Sequence, residues 1–505
     1  MAAVEIRTNL GELRHSVQER LARMAADDVV RRIWDRDHTV WRPDPREITD
    51  RLGWLDAVEW SRELLPGLRT LVEEVRAAGL TRTLLLGMGG SSLAPEVIRH
   101  TFYPHASPAF DVQVLDSTHP DAVVRTEGRL DRALLLVSSK SGTTIETRSH
   151  LAHFSEMIGD AGRVVAITDP GSALATDGMR LGFRSVVEAP PDVGGRFSAL
   201  TVFGLLPAAL CGVDPELLLI EAASMMSACR PGVPVEENPA AVLGAAMGEA
   251  ALAGRDKLTI RADPGAAPLG AWLEQLVAES TGKDGRGILP VHAEPDSGGF
   301  GDDRLFLGIG KDPSETPSVT VPYRRSAELG ALFFLFELAT AVAGHVLDIH
   351  PFDQPDVQAA KDRTTDVLER GSGGAAPSGS LDELLETVHP GDYVAIQAFV
   401  DPTAEAWEEL QRARGAIAKA TGVATTLGFG PRYLHSTGQL HKGGPPTGVF
   451  VQVLDEATED RKVPGRPFTF GELIAAQADG DMAALRERGR RAARVRRDDL
   501  VTWQA

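Results

Sequence analysis

An apolar run at residues 134–137 (LLLV) is followed at once by a hydroxyl-rich turn at 138–144 (SSKSGTT) and then by helix-like sequence. A short run of this kind predicts a strand that is buried on both faces, as in a parallel sheet. The first N–H groups of the helix that follows have no partners within the helix and favour an anion. Because the turn adds five hydroxyl groups, we predict a phosphate site here. The alternative interpretation is a helix cap rich in Ser and Thr.

The same strand–turn–helix pattern recurs through the first half of the chain. Strands that alternate with helices predict a parallel, doubly wound sheet, whose ligand lies beyond the carboxyl ends of the strands. A glycine-rich turn at 87–92 follows one of these strands, so we expect it to lie beside the hydroxyl-rich turn. The other strands predicted for this sheet are 83–86, 112–115 and 163–168.

The alternation stops in a helical block at about 200–252 and then starts again. Strands are predicted at 256–260, 305–309, 393–399, 424–427 and 448–454. A Gly/Ser-rich stretch at 371–379 is interpreted as a flexible loop and not as a domain boundary. We therefore predict an α/β fold of two doubly wound parallel-sheet domains with helical segments at both ends. The predicted bounds are 1–80 for the N-terminal helical segment, 81–250 for the first domain, 251–455 for the second domain and 456–505 for a C-terminal helical tail.

Length and composition restrict the kinds of partner. A chain of 505 residues is too long for one hydrophobic core. Its formal net charge of −19 argues against nucleic acid or an anionic membrane as a partner. The two cysteines have no metal or disulfide spacing, and no apolar segment is interpreted as a leader or a membrane span. We therefore expect a cytoplasmic protein that binds a small molecule.

Six motifs resemble active-site segments of the phosphoglucose isomerases, whose two domains are sugar-isomerase (SIS) modules. They are GMGGSSLAP at 87–95, SKSGTTIET at 139–147, VGGRFS at 193–198, ESTGKDGRGILP at 279–290, HPFDQPDV at 350–357 with Lys361 after it, and LHSTGQ at 434–439. Residues 463–489 also resemble the end of the isomerase half of bifunctional transaldolase–isomerases. The chain has no room for a transaldolase barrel beside two SIS domains, and the sequence does not tell whether a separate transaldolase partner exists.

The resemblance implies an aldose–ketose isomerase that interconverts glucose 6-phosphate and fructose 6-phosphate through a cis-enediolate, without metal or organic cofactor. Two alternatives stay open at this point. One is an isomerase of another anionic hexose, a phosphosugar or a sulfosugar, and the other is a non-catalytic phosphosugar sensor on the same fold. A sensor needs a phosphate cradle but no base, so the residues proposed for catalysis below argue against it.

The chemistry of isomerisation gives each matched residue a role. Glu279 is the expected base that moves a proton between C1 and C2, with a pKa raised by partial burial. Arg196 is expected to stabilise the charge that develops on the enediolate. Lys361 and His435 are expected to open the sugar ring, the lysine by its charge and the histidine by carrying the proton of the ring oxygen.

The matched motifs also imply the residues that hold the substrate. The predicted phosphate ligands are Ser91, Ser139, Ser141 and Thr144. Further substrate contacts are predicted for Gly90 and Lys140. No cluster has metal-ligand spacing, so a site without metal is expected.

The histidine motif departs from the order of motifs in the family that the chain resembles. In the isomerases that the chain resembles, the motif like LHSTGQ lies between the glutamate and lysine segments, whereas here it follows Lys361. Those isomerases are dimers in which the neighbouring subunit supplies this histidine, so a homodimer is expected, but the displaced position also allows His435 to act in its own chain. His441 lies on the same loop and is the rival for ring opening.

Overall fold

A computed structural model describes residues 6–103, 111–296, 299–356, 363–364, 367–368 and 378–503. The strands are β1 (Arg7–Asn9), β2 (Arg82–Gly87), β3 (Asp111–Leu115), β4 (Ala133–Ser138), β5 (Val164–Thr168), β6 (Ser185–Glu188), β7 (Lys257–Ala262), β8 (Leu289–Val291), β9 (Arg304–Ile309), β10 (Ser318–Val321), β11 (Tyr393–Phe399), β12 (Ala424–Phe429), β13 (Gly448–Leu454) and β14 (Arg491–Arg496).

Helices surround these strands throughout the described part of the chain. They are α1 (Arg14–Ala26), α2 (Val29–Trp34), α3 (Ala57–Ala77), α4 (Leu93–Phe102), α5 (Pro120–Glu127), α6 (Ile145–Ile158), α7 (Ala173–Leu181), α8 (Val202–Leu210), α9 (Pro215–Ala228), α10 (Pro239–Leu252), α11 (Leu269–Thr281), α12 (Leu329–Val346), α13 (Leu381–Leu385), α14 (Ala404–Thr421), α15 (Gly438–Gly443), α16 (Phe470–Glu487) and α17 (Arg497–Val501). Parallel strands with flanking helices confirm the predicted α/β fold class.

The first sheet has five parallel strands in the order β3-β2-β4-β5-β6. The residues of β4 are all buried, which is why this strand is an uninterrupted apolar run in the sequence. The chain leaves β2 toward β3 and later returns to the other side of β2 as β4. This reversal makes the switch point at which ligands bind in doubly wound sheets, and the two predicted turns follow β2 and β4 at this point.

The strands predicted for the second domain are divided between two further sheets. The second sheet has the order β1-β10-β9-β7-β8, and the third has the parallel order β12-β11-β13-β14. The N-terminal segment, predicted as helical, also contributes β1, antiparallel to β10. The tail, also predicted as helical, contributes β14, which pairs with β13. Both ends of the described chain therefore complete sheets, while the predicted domain bounds stay a prediction.

Helix α12 forms the centre of the largest core, where it packs against α9, α10 and α11. The segment Ser326–Val346 has a mean hydropathy of 1.7 and is long enough to cross a membrane. Sequence analysis interpreted no segment as a membrane span, but this one is apolar and long enough by length and composition. Because 94% of the most apolar window lies inside the protein, its hydropathy is that of a core helix.

Two ion clusters join the sheets. Arg432, just after β12, donates from Nε to Asp116 Oδ2 at 2.7 Å and from NH2 to Glu96 Oε1 at 3.0 Å. This contact holds the loop after β12 against β3 and α4 of the first sheet. Between the second and third sheets, Arg304 of β9 donates to both oxygens of Glu294 at 2.9 and 3.2 Å. The backbone N–H of Thr425 in β12 donates to the same carboxylate at 2.8 Å.

Candidate active site

Two tight turns meet at the carboxyl end of β2. A Cβ at Gly90 would lie 2.0 Å from the carbonyl oxygen of Gly195, so a glycine is required at this contact. Gly90 belongs to the buried turn Gly89–Ser91, and Gly195 begins the turn Gly195–Phe197. The close approach brings the predicted ligands Gly90 and Ser91 beside the turn that carries Arg196.

Arg196 and Glu279 form a buried ion pair. Glu279 lies near the end of α11, and its Oε1 accepts from NH1 of Arg196 at 3.2 Å. The two residues are 3% and 4% exposed. Burial lowers the pKa of the Arg196 guanidinium, and the Glu279 carboxylate opposes that effect. A carboxylate therefore lies beside a fixed positive charge in a position that water hardly reaches, where electrostatic interactions are strong.

Further contacts fix the Arg196 guanidinium in place. Its Nε donates to Ser280 Oγ at 2.7 Å, and NH2 donates to the carbonyl oxygens of Pro351 and Asp353 at 2.6 and 3.1 Å. Lys283 holds the same segment, because its Nζ donates to the carbonyl oxygen of Asp353 at 2.6 Å and pairs with the side chain. Burial lowers the pKa of Lys283 to about 8. The segment at 350–356 is thus fixed from two sides.

Gln275 connects the carboxylate to the histidine loop. It lies one turn before Glu279 on α11, and its Nε2 donates to Glu279 Oε2 at 3.1 Å and to the carbonyl oxygen of His435 at 2.8 Å. A Cβ at Gly89 would lie 2.7 Å from Gln275 Nε2, and the positive φ of 54° there also favours glycine. Sequence analysis missed Gln275, although its spacing of four residues places it on the helix face of Glu279.

His435 pairs with Glu146 in its own chain. Glu146 lies in the first turn of α6, directly after the hydroxyl-rich turn, and is buried. Its Oε1 lies 2.9 Å from Nε2 of His435. A carboxylate only accepts, so this contact assigns the proton of neutral His435 to Nε2 and leaves Nδ1 able to take another. Sequence analysis did not predict this pair, because it depends on two segments 289 residues apart.

The rival His441 lies in a different environment. It is buried in α15, and its Nδ1 accepts from Nε2 of Gln397 at 3.1 Å. Nε2 of His441 has no hydrogen-bond partner within the described ranges. Burial lowers the pKa of His441 well below its usual range. With Gln397 and Ser436 it lines a cavity of about 100 Å³, and it is His435 that contacts Glu146 and Gln275.

The predicted phosphate ligands lie on the turn after β4. Ser139 Oγ donates to Thr144 Oγ1 at 3.1 Å, and Ser141 Oγ lies 3.0 Å from Thr143 Oγ1. Thr144 occupies the N-cap position of α6, but its side chain makes no capping hydrogen bond. The first N–H groups of this 14-residue helix therefore point out beside a cluster of hydroxyls. This arrangement suits a group with several acceptor oxygens.

Lys140, also predicted to contact substrate, is already engaged. Its Nζ donates to both carboxylate oxygens of Asp169 at 2.8 Å, and to the carbonyl oxygens of Pro190 and Pro191 at 3.3 and 3.1 Å. Burial lowers the pKa of Lys140. In this arrangement the lysine braces the turn, and the hydroxyls and N–H groups present the donors. Lys361 lies outside the described residues.

The chain is similar in sequence to known proteins. The family model described as phosphoglucose isomerase matches residues 55–288. A glucose-6-phosphate isomerase of Rubrobacter xylanophilus is 30% identical over 389 residues, which cover 60% of this chain and 85% of that protein. One of Synechococcus sp. (strain JA-3-3Ab) is 30% identical over 355 residues, 57% of this chain. The match spans 66% of the Synechococcus protein's length.

Solved structures show the same fold. A hypothetical protein of Thermus thermophilus superposes with a TM-score of 0.61 at 23% identity, over 72% of this chain and 99% of that one. A glucose-6-phosphate isomerase of Chlamydia trachomatis gives a TM-score of 0.54 at 18% identity, over 71% and 85%. The predicted likeness of residues 463–489 to bifunctional enzymes stays a prediction, because the family match ends at residue 288.

Proposed function

The chain belongs to the phosphoglucose isomerase family, and from this premise we propose that it is an enzyme that interconverts glucose 6-phosphate and fructose 6-phosphate. The observation that carries the proposal is the buried contact series from Arg196 through Glu279 and Gln275 to His435. It joins a candidate base, a fixed cation and a candidate acid at the carboxyl ends of the strands, next to a turn suited to phosphate. The curated relatives named above support the same reaction.

In the proposed proton transfer, Glu279 is the base. Its carboxylate takes the C2 proton of the open-chain aldose, the proton of the C2 hydroxyl passes to O1 within the enediol, and Glu279 returns its proton to C1 to give the ketose. Arg196 stabilises the negative charge that forms on the enediolate oxygens, because a guanidinium 3.2 Å from the base already faces the reacting region. Gln275 keeps the carboxylate oriented by its hydrogen bond to Oε2.

In the proposed ring opening, His435 is the acid. As the bond between C1 and the ring oxygen breaks, the imidazolium donates its Nδ1 proton to the ring oxygen, and the proton of the C1 hydroxyl passes to water. Both protons return when the ring closes. Glu146 stabilises the imidazolium through Nε2 and keeps the ring in one orientation. By family resemblance, Lys361 supplies a positive charge in this step.

We propose that the substrate phosphate lies against Ser139, Ser141 and Thr144 at the start of α6, with Ser91 and Gly90 from the neighbouring turn. Lys140 acts by bracing this turn through Asp169. Since the chain carries a formal net charge of −19, capture of the anion depends on these local donors and not on long-range attraction.

The assembly and location are also proposals. The contacts of His435 with Glu146 and Gln275 support a histidine that acts in its own chain. A homodimer follows from the family resemblance, and light scattering after size-exclusion chromatography measures it. Two cysteines, both buried and unpaired, support a cytoplasmic location.

A coupled assay on a panel of hexose 6-phosphates and a sulfohexose tests the proposed reaction. We expect turnover of glucose 6-phosphate and fructose 6-phosphate in both directions. If only another anionic hexose is turned over, that hexose is the substrate and the proposed substrate pair is wrong. Binding of sugar phosphates without turnover of any would contradict the enzymatic function.

A further inference from the structure

The C-terminal segment reaches the proposed site through one side chain. Helix α16 begins with a reciprocal capping box between Thr469 and Glu472, which fixes the start of the helix. Two turns into the helix, Gln477 is 2% exposed. Its Nε2 donates to Oε1 of Glu146 at 2.7 Å, across 331 residues of sequence. A residue of the predicted tail thus contacts the carboxylate that holds the proposed acid.

The amide of Gln477 has only one orientation available. Its other end lies 2.7 Å from Oγ1 of Thr118, a fully buried residue. Because the carboxylate of Glu146 only accepts, the NH2 end of the amide faces Glu146 and the oxygen accepts from the threonine hydroxyl. Thr118 follows β3 of the first sheet. The contacts therefore run from Thr118 through Gln477 and Glu146 to His435.

Two donors share one carboxylate oxygen. Oε1 of Glu146 accepts from Nε2 of His435 at 2.9 Å and from Nε2 of Gln477 at 2.7 Å. The hydrogen bond from the Gln477 amide stabilises the negative charge of the Glu146 carboxylate, so the carboxylate attracts the His435 imidazolium less strongly. The same hydrogen bond restricts rotation of the carboxylate. His150, also on α6, interacts with Glu146, and burial lowers the pKa of His150 to about 4, so it faces the carboxylate as a neutral ring.

We propose that Gln477 is a positioning residue for ring opening, which sets the orientation and acidity of His435 through Glu146. The kinetic effects expected from this role depend on the proposed function. It assigns the predicted C-terminal tail a part in the chemistry beyond completing the third sheet.

The first test replaces Gln477 with leucine, which removes the donor and keeps the volume. Loss of a hydrogen bond to a charged group corresponds to roughly a tenfold to hundredfold effect. We expect kcat with cyclic substrate to fall by about that factor, with little change in KM and a smaller loss with an open-chain analogue. The alkaline limb of the pH profile should move to higher pH, because the less solvated carboxylate holds the imidazolium proton more tightly.

A matched control is Gln452→Leu. Gln452 is also fully buried, and it donates to the carbonyl oxygen of Ala478 in the same helix, while its own oxygen accepts from Arg494. It does not contact Glu146. We expect this variant to lose stability without moving the pH profile. An equal shift of the profile in both variants would assign Gln477 a merely structural role and overturn the proposal.

A second pair of variants applies if Gln477→Leu does not fold. Thr118→Val leaves the amide without its anchoring donor and should give a smaller shift in the same direction, whereas Thr118→Ser should restore the profile. Titration of the ¹⁵N-labelled His435 imidazole without substrate separates the two proposals. If the wild-type protein is inactive on sugar phosphates, the proposed function is contradicted, but the positioning role of Gln477 is not. A His435 midpoint unchanged by Gln477→Leu or Thr118→Val overturns the positioning role whatever the activity.

Discussion

The carboxylates of Glu279 and Glu294 are both buried against an arginine, yet they accept different numbers of hydrogen bonds. Glu294 accepts two hydrogen bonds from Arg304. It accepts two more from Thr425, one from the backbone N–H and one from the side-chain hydroxyl at 3.3 Å. Glu279 accepts one from Arg196 and one from Gln275, at 3.2 and 3.1 Å.

The difference separates a structural ion pair from a reactive one. A carboxylate has about four acceptor positions. Glu294 accepts four hydrogen bonds that join two sheets, whereas Glu279 accepts two from the described residues, one on each oxygen, beside a fixed cation. Burial and pairing with arginine therefore do not identify a base. Capacity left free at the carboxyl ends of parallel strands is the more informative feature.

The largest expected effect is that of Glu279→Gln. The amide keeps the size of the side chain but cannot take a C–H proton, so kcat should fall by about 10²–10⁴-fold. Binding of an unreactive sugar phosphate, measured by calorimetry, should change little, although stability falls because the buried Arg196 loses its ion-pair partner. A variant that keeps a tenth of its activity would mean that the base lies elsewhere, with Glu146 and Glu274 the next candidates.

Glu294→Gln should lower stability without lowering activity. It leaves the buried Arg304 with only Asp303 at 3.7 Å as an ion-pair partner, which costs about 3–5 kcal/mol of unfolding free energy. Denaturant titration measures that loss, while kcat and KM per folded molecule should stay unchanged. If activity falls as far as in Glu279→Gln and stability does not, the distinction between the two carboxylates is wrong.

His435→Ala should slow turnover of cyclic substrate by about a hundredfold and exchange on an open-chain analogue much less, because only ring opening needs the acid. Equal losses on both would assign His435 to the proton transfer or to the fold. Mixing Glu279→Gln with His435→Ala chains tests the arrangement. Since Gln275 and Glu146 contact His435 within one chain, we expect no recovery of activity when subunit exchange is confirmed.

Replacement of Ser141 and Thr144 together by alanine should raise KM more than it lowers kcat. The phosphate does not react, so its contacts are equal in the ground state and the transition state. Each lost hydrogen bond to a charged group is worth about 1.5–3 kcal/mol. Thr143→Ala on the same turn is the control, and unchanged KM in the double variant would remove these residues from the cradle.

The smallest expected effect is a dependence of stability on pH that comes from Lys283. Burial lowers its pKa from 10.5 to about 8, so between these values the unfolded chain binds more protons than the folded one. Stability of the wild-type protein relative to Lys283→Met should therefore rise with pH in that range, by about 1 kcal/mol from pH 8 to 9. Denaturant titrations at both pH values measure the difference, and a flat difference would contradict the shifted pKa.

The sequence predicted the features that depend on local pattern. The buried strand β4, the turns after β2 and β4, and the α/β class follow from apolar runs and from Gly, Ser and Thr at strand ends, and the predicted family is confirmed. The sequence predicted separate roles for Glu279 and Arg196 but not their contact, since 83 residues separate the two in sequence.

Features that depend on long-range packing were not predictable in this way. The strands after residue 251 give no local signal for which sheet they join, so the third sheet and the contribution of β14 were missed. Likewise, Gln477 and Glu146 meet only because α16 packs on the first sheet. A lone Gln in a helix carries no pattern, whereas Gln275 could have been found from its spacing to Glu279.

The placement of His435 and Gln477 late in the chain has a consequence for synthesis on the ribosome. The first sheet, with the hydroxyl-rich turn, is complete at Glu188, about 250 residues before His435. At a translation rate of about 5–20 residues per second, that interval lasts roughly 12–50 s. During this time a nascent chain presents its anion-binding turn without the residue proposed to open the ring. We expect ribosome-stalled chains that expose only residues up to 430 to be inactive, and activity from such chains would contradict the assignment of His435.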